Sequence, residues 1–477
     1  MTAVDGRRPR VAVVGGGISG LAAAWALDRA GDCDVVLLEQ AGRTGGVLRR
    51  APVPGAPGGL VVDVGPEAVL ARRPEALRLI EEVGLGEDVE HPVTTRSSVF
   101  TRGRLHPMPA GTQMGVPGDL QALRGLLTDE EVARAAAEPS LAHDPVTGDV
   151  DVASWVAGRV GPAVVDRLVE PLLGGVYAGH AGRLSLRATV PALWPVATSG
   201  TSVVEAVAAR SGAGAGTAAG GPVFAGVRGG VARLAEELTR QLAARHEVRT
   251  RAAVHRLEAP AGGGWRLWVG PRPDPQALDV DGVVLAVPAG RAARLLEEVA
   301  ADAAGPLTGV RTASTAVLTA VLPPGTLDGL GDGGPLSGVL VPPVEGRLVK
   351  AMTFSSAKWG WVGQAADGHD VVRLSVGREG EQADLQRPDD EVLAAALADA
   401  AGILDRPLRP VATLLTRWGG ALPQYGVGHL DLVDRVRDAV ARHRGLALAG
   451  ATFGGVGLPA CVATAEAAVQ DLLADLG

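Results

Sequence analysis

Three glycines early in the chain have the spacing of a dinucleotide-binding turn. Gly15, Gly17 and Gly20 form the pattern G-x-G-x-x-G directly after the apolar residues 11–14. In such a turn the first glycine permits a tight bend, the second lets the backbone approach a pyrophosphate, and the third lets a helix pack close to the strand. Backbone N–H groups at the start of that helix would then bind the phosphates.

The elements around these glycines are the ones that such a turn requires. Residues 11–14 predict a short buried strand, and Ile18–Ala30 is rich in Ala and Leu, which predicts a helix. A second strand at residues 35–38 ends at Glu39, 19 residues after Gly20. An acid at this place accepts hydrogen bonds from a ribose. An ordinary strand-turn-helix unit is the alternative, but the agreement of all four features favours the dinucleotide site.

A second glycine-rich junction lies near the C-terminus. The apolar residues 446–449 lead into Gly454, Gly455 and Gly457 and then into a long helical pattern. Signals for nucleotide binding therefore flank different material, which predicts a discontinuous cofactor domain and a separate substrate domain. One helix N-terminus would face a pyrophosphate, and the other would face the distant redox-active ring of a large cofactor.

Composition limits the classes of function. The chain has 477 residues, a net charge of −8 and no dense run of Lys or Arg, which argues against a nucleic-acid partner. Its two cysteines, Cys33 and Cys461, have the spacing of neither a disulfide framework nor a zinc site, and no cluster of metal ligands is found. Without a secretory signal or a run of about 18 apolar residues, we expect no stable membrane insertion and a cytoplasmic location.

The middle of the chain predicts other kinds of structure. Residues 96–109 have the pattern of a β-hairpin, and residues 117–210 are mostly helical in pattern. Residues 211–222 read SGAGAGTAAGGP and lack apolar periodicity, which predicts a flexible surface loop. Mixed α/β patterns return from residue 224 onward.

Several stretches spread along the chain indicate one family. They are VVGGGISGLAAA, GPEAVLARRPEAL, VEPLLGGVYAGHAGRLSLRATVPAL, RWGGALPQYGVGH and GGVGLPACVATAEAA. With them the chain resembles the FAD-dependent porphyrinogen oxidases, the protoporphyrinogen and coproporphyrinogen III oxidases of haem synthesis, over nearly its full length. The first stretch is shared by many flavin amine oxidases and desaturases, whereas GGVYAG, LPQYGVGH and GVGLPAC are more specific.

The resemblance implies an α/β fold of the flavin amine oxidase type. It would contain a discontinuous, doubly wound FAD-binding domain, a mixed α+β substrate domain and a helical domain. The implied boundaries are residues 1–75, 224–300 and 410–477 for the FAD-binding domain, 76–116 and 301–409 for the substrate domain, and 117–210 for the helical domain.

The resemblance also implies contacts to FAD. The glycine turn would bind the pyrophosphate, Glu39 the adenosine ribose, and the backbone of Val254 the adenine, while Trp418 would pack near the flavin. The full set of implied cofactor residues is Gly15, Gly16, Gly17, Ile18, Ser19, Gly20, Glu39, Arg43, Gly46, Gly65, Pro66, Glu67, Ala68, Val254, Trp418, Val456, Gly457 and Leu458. Val254 and Trp418 also fit plain packing roles.

The implied reaction is the oxidation of coproporphyrinogen III to coproporphyrin III. Six electrons leave in three steps, O₂ reoxidises the flavin, and H₂O₂ is formed. Because the product gains aromaticity, no strong protein base is required. His180 and His429 stand in motif stretches that would suit a catalytic role, but His180 replaces an acid expected there in relatives and is interpreted as structural or exposed. Gly175 would place a backbone carbonyl near the substrate. The expected partners of the propionates are Arg72, Arg73, Arg96 and Lys358.

Other functions stay open at this point. They are the oxidation of protoporphyrinogen IX, another flavin amine oxidase or carotenoid desaturase activity, and non-catalytic binding of flavin and porphyrin. An amine oxidase needs an aromatic cage, for which only Tyr177, Tyr425 and a few Trp residues are available. Coproporphyrinogen is favoured because the stretches look most like those of Gram-positive enzymes. The next enzyme of the haem pathway is then a partner to consider.

Overall fold

The computed structural model describes residues 7–215, 221–331 and 333–477. The strands are β1 (Arg10–Val14), β2 (Asp34–Leu38), β3 (Arg50–Pro52), β4 (Val61–Asp63), β5 (Val69–Leu70), β6 (Val89–Glu90), β7 (Ser97–Thr101), β8 (Arg104–Pro107), β9 (Thr112–Gln113), β10 (Val116–Pro117), β11 (Phe224–Val227), β12 (Glu247–Arg249), β13 (Val254–Glu258), β14 (Trp265–Val269), β15 (Gln276–Val280), β16 (Gly282–Leu285), β17 (Thr312–Leu322), β18 (Gly338–Leu340), β19 (Val349–Phe354), β20 (Asp370–Val376), β21 (Ala412–Pro423) and β22 (Leu446–Leu448).

The helices are α1 (Ile18–Ala30), α2 (Pro74–Glu82), α3 (Asp129–Ala136), α4 (Val152–Val160), α5 (Pro162–Val164), α6 (Glu170–Tyr177), α7 (Leu186–Thr189), α8 (Trp194–Ser199), α9 (Val203–Ala215), α10 (Arg233–Ala243), α11 (Ala289–Leu296), α12 (Ala301–Thr308), α13 (Ser355–Lys358), α14 (Gly360–Ala365), α15 (Asp389–Leu404), α16 (His429–Val440), α17 (Ala451–Gly454) and α18 (Leu458–Leu476). The predicted unit of strand, helix and strand at the start of the chain is confirmed by β1, α1 and β2.

A parallel sheet of order β12-β2-β1-β16-β22 joins strands from the beginning, the middle and the end of the described residues. Successive side chains of a strand point to opposite faces, so β1 contributes to two cores. Val11 and Val13 pack with α1, α10 and α18, whereas Ala12 and Val14 pack with α11, α16 and the sheet β13-β14-β15. Burial on both faces explains why β1, β2, β16 and β22 are apolar apart from the first residues of β1 and β2, whereas the edge strand β12 carries charged residues. The doubly wound α/β class is therefore confirmed, and its strands come from distant segments of the chain.

A second sheet has the order β21-β17-β20-β19-β18-β7-β8 and carries α15 on one face. The predicted hairpin is confirmed, because β7 and β8 pair antiparallel and turn at Arg102 and Gly103, which both have positive φ angles. β21 pairs with β17 in this sheet. It therefore belongs with the predicted substrate domain, although the predicted boundary at residue 410 places it with the FAD-binding domain.

The segment between β10 and β11 is mostly helical, as predicted, and packs around its own apolar core. The predicted loop at residues 211–222 is wrong in its first part, because α9 extends to Ala215. The buried carboxylate of Glu138 accepts a hydrogen bond from the backbone N–H of Val203 at 2.8 Å and so anchors the start of α9. Alanine sustains a helix that has begun, without any apolar periodicity. Residues 216–220 lie outside the described residues.

None of the described helices is both long and apolar enough to cross a lipid bilayer.

Candidate active site

The turn between β1 and α1 leaves space where a pyrophosphate would bind. A Cβ atom on Gly20 would lie 1.7 Å from the carbonyl oxygen of Gly15, so only glycine lets the helix approach the strand here. Gly17 precedes α1, and a Cβ atom there would meet no described atom within 4 Å. Ile18 and Ser19 are buried in the first turn of α1. Among the described residues no side chain caps this helix, so its first N–H groups are available to an anion.

Glu39 follows β2, with its carboxylate beside the glycine turn. Its Oε2 accepts a hydrogen bond from the backbone N–H of Gly16, and its Oε1 accepts one from that of Ala41, both at 2.7 Å. An ionised carboxylate can accept further hydrogen bonds. Glu39 is half-buried, so that remaining capacity can be used by ribose hydroxyls.

The segment after Glu39 packs back onto the glycine turn. The backbone N–H of Gly45 donates to the carbonyl of Gly16 at 2.7 Å. The guanidinium of Arg43 donates to the carbonyls of Thr44 and Gly46, at 2.9 and 2.8 Å. Burial lowers the pKa of Arg43. The predicted residues Arg43 and Gly46 therefore lie at the turn, where Arg43 orders the loop.

Val254 lies on the same side of the molecule as the end of β2. The backbone N–H of Ala252, two residues earlier, donates to the carbonyl of Glu39 at 2.8 Å. Val254 itself begins β13 and is buried beside Ala12 and Val14. Val254 therefore packs in this apolar core, and its contact with adenine stays a prediction.

The C-terminal junction is also a turn from strand to helix. β22 leads through the one-turn helix α17 to α18, which begins at Leu458 and has Gly457 as its N-cap. Gly457 is exposed, Val456 is half-buried, and Leu458 is buried in the core beneath the parallel sheet. Because β1 and β22 run parallel, the helices that follow them begin at the same edge of the sheet. Two helix N-termini therefore open at this edge.

Gly65, Pro66, Glu67 and Ala68 follow β4 and are all half-buried. A Cβ atom on Gly65 would lie 2.0 Å from the carbonyl oxygen of Val47, so the two backbones are in close contact. Trp418 on β21 donates from its Nε1 to the carbonyl of Val64 at 2.8 Å. The structure therefore brings Trp418 together with the start of segment 65–68, and the contact of these residues with the flavin stays a prediction.

Glu67 is the centre of a buried charge cluster that the sequence does not reveal. Its carboxylate accepts hydrogen bonds from four side chains, which are those of Ser355 (2.9 Å), Lys358 (3.1 Å), Trp359 (3.0 Å) and Arg373 (2.8 Å). Burial opposes ionisation, but Lys358 and Arg373 hold the pKa of Glu67 well below its usual range. Arg373 also donates to the carbonyl of Gly65. Its Nε atom is buried and has no hydrogen-bond partner among the described residues.

This cluster also contains one residue that the sequence predicts as a substrate partner. The ammonium group of Lys358 forms an ion pair with Glu67 at 3.1 Å and lies over the ring of Trp359 at 5.1 Å. Only 16% of its side chain is exposed. The charge of Lys358 is thus already compensated inside the protein, and its role toward a substrate stays a prediction.

The comparison with known proteins accords with this geometry. A model of the family described as "Flavin containing amine oxidoreductase" matches residues 18–473. The chain belongs to the flavin-containing amine oxidoreductases. It is accordingly an oxidoreductase, and its cofactor is FAD. The open helix N-termini, the space at Gly17 and the unpartnered Arg373 Nε fit such a cofactor.

Similar proteins indicate which members of this family the chain resembles. The chain is 39% identical to a coproporphyrinogen III oxidase of Mycobacterium leprae, with 97% of this chain and 98% of the relative covered. It is 29% identical to a coproporphyrinogen III oxidase of Bacillus subtilis, with 98% of each chain covered. A crystal structure of a candidate protoporphyrinogen oxidase from Exiguobacterium sp. 255-15 superimposes with a TM-score of 0.83 at 31% identity, covering 98% of this chain and 99% of that chain. The resemblance to the porphyrinogen oxidases is thereby confirmed.

Gly175 and Val176 lie in the last turn of α6. Both are exposed, although their neighbours in the helix are mostly buried. Carbonyls in the last turn of a helix are not all used by helical hydrogen bonds, so a ligand can bind them. Tyr177 and Val456 belong to one apolar cluster. This cluster connects the helix that carries Gly175 with the glycine-rich junction before α18.

The three predicted arginines lie on different elements. Arg72 is exposed, and Arg73, which precedes α2, forms an ion pair with Glu75 at 2.6 Å. Arg96 is exposed near β7, and its guanidinium lies close to Gly333. Their role toward a substrate stays a prediction.

The two motif histidines contact protein groups. His180 Nε2 lies 3.2 Å from a carboxylate oxygen of Glu381. His429 is buried, and its Nε2 lies 2.9 Å from the carbonyl oxygen of Thr452. Burial lowers the pKa of His429. Both side chains are therefore engaged by groups of the protein.

Proposed function

We propose that this flavoprotein oxidises coproporphyrinogen III to coproporphyrin III in haem biosynthesis. The observation that carries the proposal is the match along nearly the whole chain to the coproporphyrinogen III oxidase of Mycobacterium leprae. In the overall reaction, one porphyrinogen and three O₂ give one porphyrin and three H₂O₂. Six electrons and six hydrogens are transferred. FAD, when bound, accepts a hydride in each of the three steps and passes the electrons to O₂.

The chain's own contribution is to bind and orient the macrocycle. Gly175 and the apolar residue Val176 are both exposed and offer an uncharged contact to a porphyrinogen. A side chain at position 175 would point toward Leu340, because an added Cβ atom would lie 3.7 Å from the Cδ2 of Leu340. We assign Gly175 the role of contacting the substrate through its backbone carbonyl.

The propionates of the substrate need cationic partners. Arg72 and Arg96 are exposed, and Arg73 keeps 42% of its side chain exposed beside Glu75. An arginine can bind a carboxylate with two parallel hydrogen bonds. We therefore retain these three residues as candidates. A substrate with four propionates gains more from them than protoporphyrinogen, which has two.

Protoporphyrinogen IX is the second candidate substrate, because the Exiguobacterium structure carries that activity in its description. We place the reaction in the cytoplasm, with no nucleic-acid partner and no stable membrane insertion. Transfer of the porphyrin to the next enzyme of the pathway is part of the proposal.

The test is turnover of both porphyrinogens by the purified holoenzyme at one oxygen concentration. Porphyrin is measured by its fluorescence and H₂O₂ by a coupled peroxidase. We expect a higher kcat/KM for coproporphyrinogen III and three H₂O₂ per porphyrin. A preference for protoporphyrinogen IX would reject the substrate. Absence of porphyrin formation from either compound would reject the function and favour a binding protein.

A further inference from the structure

Three side chains bind consecutive backbone carbonyls of α17. The hydroxyl of Tyr425 donates to the carbonyl of Ala451, and the Nε2 of His429 donates to that of Thr452 at 2.9 Å. The guanidinium of Arg437 donates to the carbonyl of Phe453 at 3.1 Å. A helix of one turn leaves its carbonyls without partners in the helix, so these donors hold it in place. The segment they hold leads directly into residues 454–457.

The residue before Tyr425 binds a different part of the protein. The side-chain amide of Gln424 donates to the carbonyl of Tyr177 at 2.7 Å and to that of Leu422 at 3.1 Å. Tyr177 ends α6, two residues after Gly175. Two adjacent residues therefore attach to two elements: Gln424 to the helix that carries Gly175, and Tyr425 to α17.

The rings around this attachment are packed and buried. Tyr425 stacks on His429 with ring centroids 4.0 Å apart and planes inclined by 11°. The rings of Tyr425 and Tyr177 are 5.7 Å apart and tilted. At most 7% of each of these three residues is exposed. Close packing of rigid rings leaves little freedom to change the spacing between the elements they join.

We propose that Gln424, Tyr425 and His429 are positioning residues that fix the distance between the substrate and FAD. Gln424 sets the position of α6 and hence of Gly175, whereas Tyr425 and His429 set the position of residues 454–457. The inference rests on the proposed function only where it assigns Gly175 to the substrate. It also explains why the stretches GGVYAG and LPQYGVGH, far apart in sequence, occur in the same protein: their residues bind each other.

The experiment tests the contacts to α17 and the contact to α6 separately. Tyr425→Phe keeps the ring and removes the donor to α17, and His429→Leu removes the second donor. Each variant raises the Kd of the apoprotein for FAD about tenfold and shifts the visible absorption band of the bound flavin. His429→Gln, which supplies an N–H donor of similar reach, restores the Kd to within about twofold. Gln424→Met leaves the Kd and the band unchanged but raises KM for coproporphyrinogen III about tenfold.

A control variant on α16 tests whether any substitution in this helix changes FAD binding by destabilising it. Asp431 forms an exposed ion pair with Arg187 in the first turn of α16, and Asp431→Ala leaves the Kd, the band and KM unchanged. The proposal is overturned if Tyr425→Phe retains the wild-type Kd and band, or if Gln424→Met alters FAD binding as much as KM. Should His429→Leu fail to fold, Tyr425→Phe decides the question. The FAD measurements remain decisive even if the wild type oxidises no porphyrinogen.

Discussion

Arg373 binds Glu67 through a hydrogen bond of 2.8 Å and also donates to the carbonyl of Gly65. One side chain of the seven-stranded sheet is thus fixed to the segment predicted to run beside the flavin. The contact joins residues 306 positions apart in the chain. Together with the hydrogen bonds of Ser355, Lys358 and Trp359 to Glu67, this ion pair attaches the segment after β4 to the seven-stranded sheet and the helix α13 beside it.

Removing the charge of Glu67 tests this ion pair. Glu67→Gln leaves Lys358 and Arg373 buried without their counter-charge, so we expect a loss of about 3–5 kcal/mol in the free energy of unfolding. Urea unfolding of the holoenzyme measures it. Asp279→Asn, which breaks the exposed pair of Asp279 with Arg266, should leave the unfolding midpoint unchanged. Equal effects of the two changes would contradict the role of Glu67.

The glycine turn offers a second test. Gly17→Val should abolish FAD binding, because the added side chain would occupy the place of the pyrophosphate. The apoprotein should still fold, because a Cβ atom at this position meets no described protein atom within 4 Å. Gly20→Val should instead destabilise the apoprotein, since its Cβ atom would overlap the carbonyl of Gly15. Flavin content and thermal unfolding of the two apoproteins distinguish these results. Normal flavin content in Gly17→Val would show that the pyrophosphate binds elsewhere.

Lys350 on β19 predicts a pH effect on stability. It is buried, its Nζ donates to the carbonyl of Gly377 at 2.7 Å, and burial together with Arg378 lowers its pKa to about 7, opposed weakly by Glu381. Between about pH 7 and 10.5 the unfolded chain binds a proton here that the folded chain does not. The contribution of Lys350 to stability therefore rises with pH across this range.

Lys350→Met isolates this effect. We expect the difference in unfolding free energy, wild type minus Lys350→Met, to increase from pH 7 toward pH 10 and to be constant below pH 6, where both states of the wild type bind the proton. Chemical unfolding at a series of pH values measures it. A difference that does not change with pH would mean that Lys350 keeps an ordinary pKa in the folded protein.

The propionate partners predict a pattern in KM. Among Arg72→Ala, Arg73→Ala and Arg96→Ala, we expect at least one variant to raise KM for coproporphyrinogen III about tenfold or more, because a charge-assisted hydrogen bond is lost. The effect on protoporphyrinogen IX should be smaller, since it has fewer carboxylates. Arg266→Ala, on the exposed pair with Asp279, is the matched control. If all three variants retain the wild-type KM, the substrate carboxylates bind elsewhere.

The sequence predicts the local parts of this molecule well. The apolar run, the glycine spacing and the helical composition of residues 11–38 all act over a few neighbouring residues, and β1, α1 and β2 form where they indicate. The same reasoning fails for α9, because a run of Ala and Gly has no periodicity from which to detect a helix held by a distant carboxylate, that of Glu138.

The other features that the sequence does not predict depend on contacts between residues far apart in the chain. Nothing near Glu67 in the sequence indicates Arg373, which is brought to it only by the pairing of β20 in its sheet. The ion pair of Lys358 with Glu67 cannot be predicted from the sequence for the same reason, since the two residues lie far apart in the chain. Tyr425 lies in a stretch that identifies the family, but its bond to Ala451 depends on the packing of α16 against β22.

The order β12-β2-β1-β16-β22 also has a consequence for biosynthesis of the protein. β1 leaves the ribosome early, whereas β22 and α18, which complete the sheet and cover α1, follow more than 400 residues later. At about 5–20 residues per second the first strands wait roughly 20–90 s for these partners. During this time the apolar faces of β1 and α1 are incompletely covered, so chaperones that bind nascent chains should associate with the growing polypeptide until its last helix emerges.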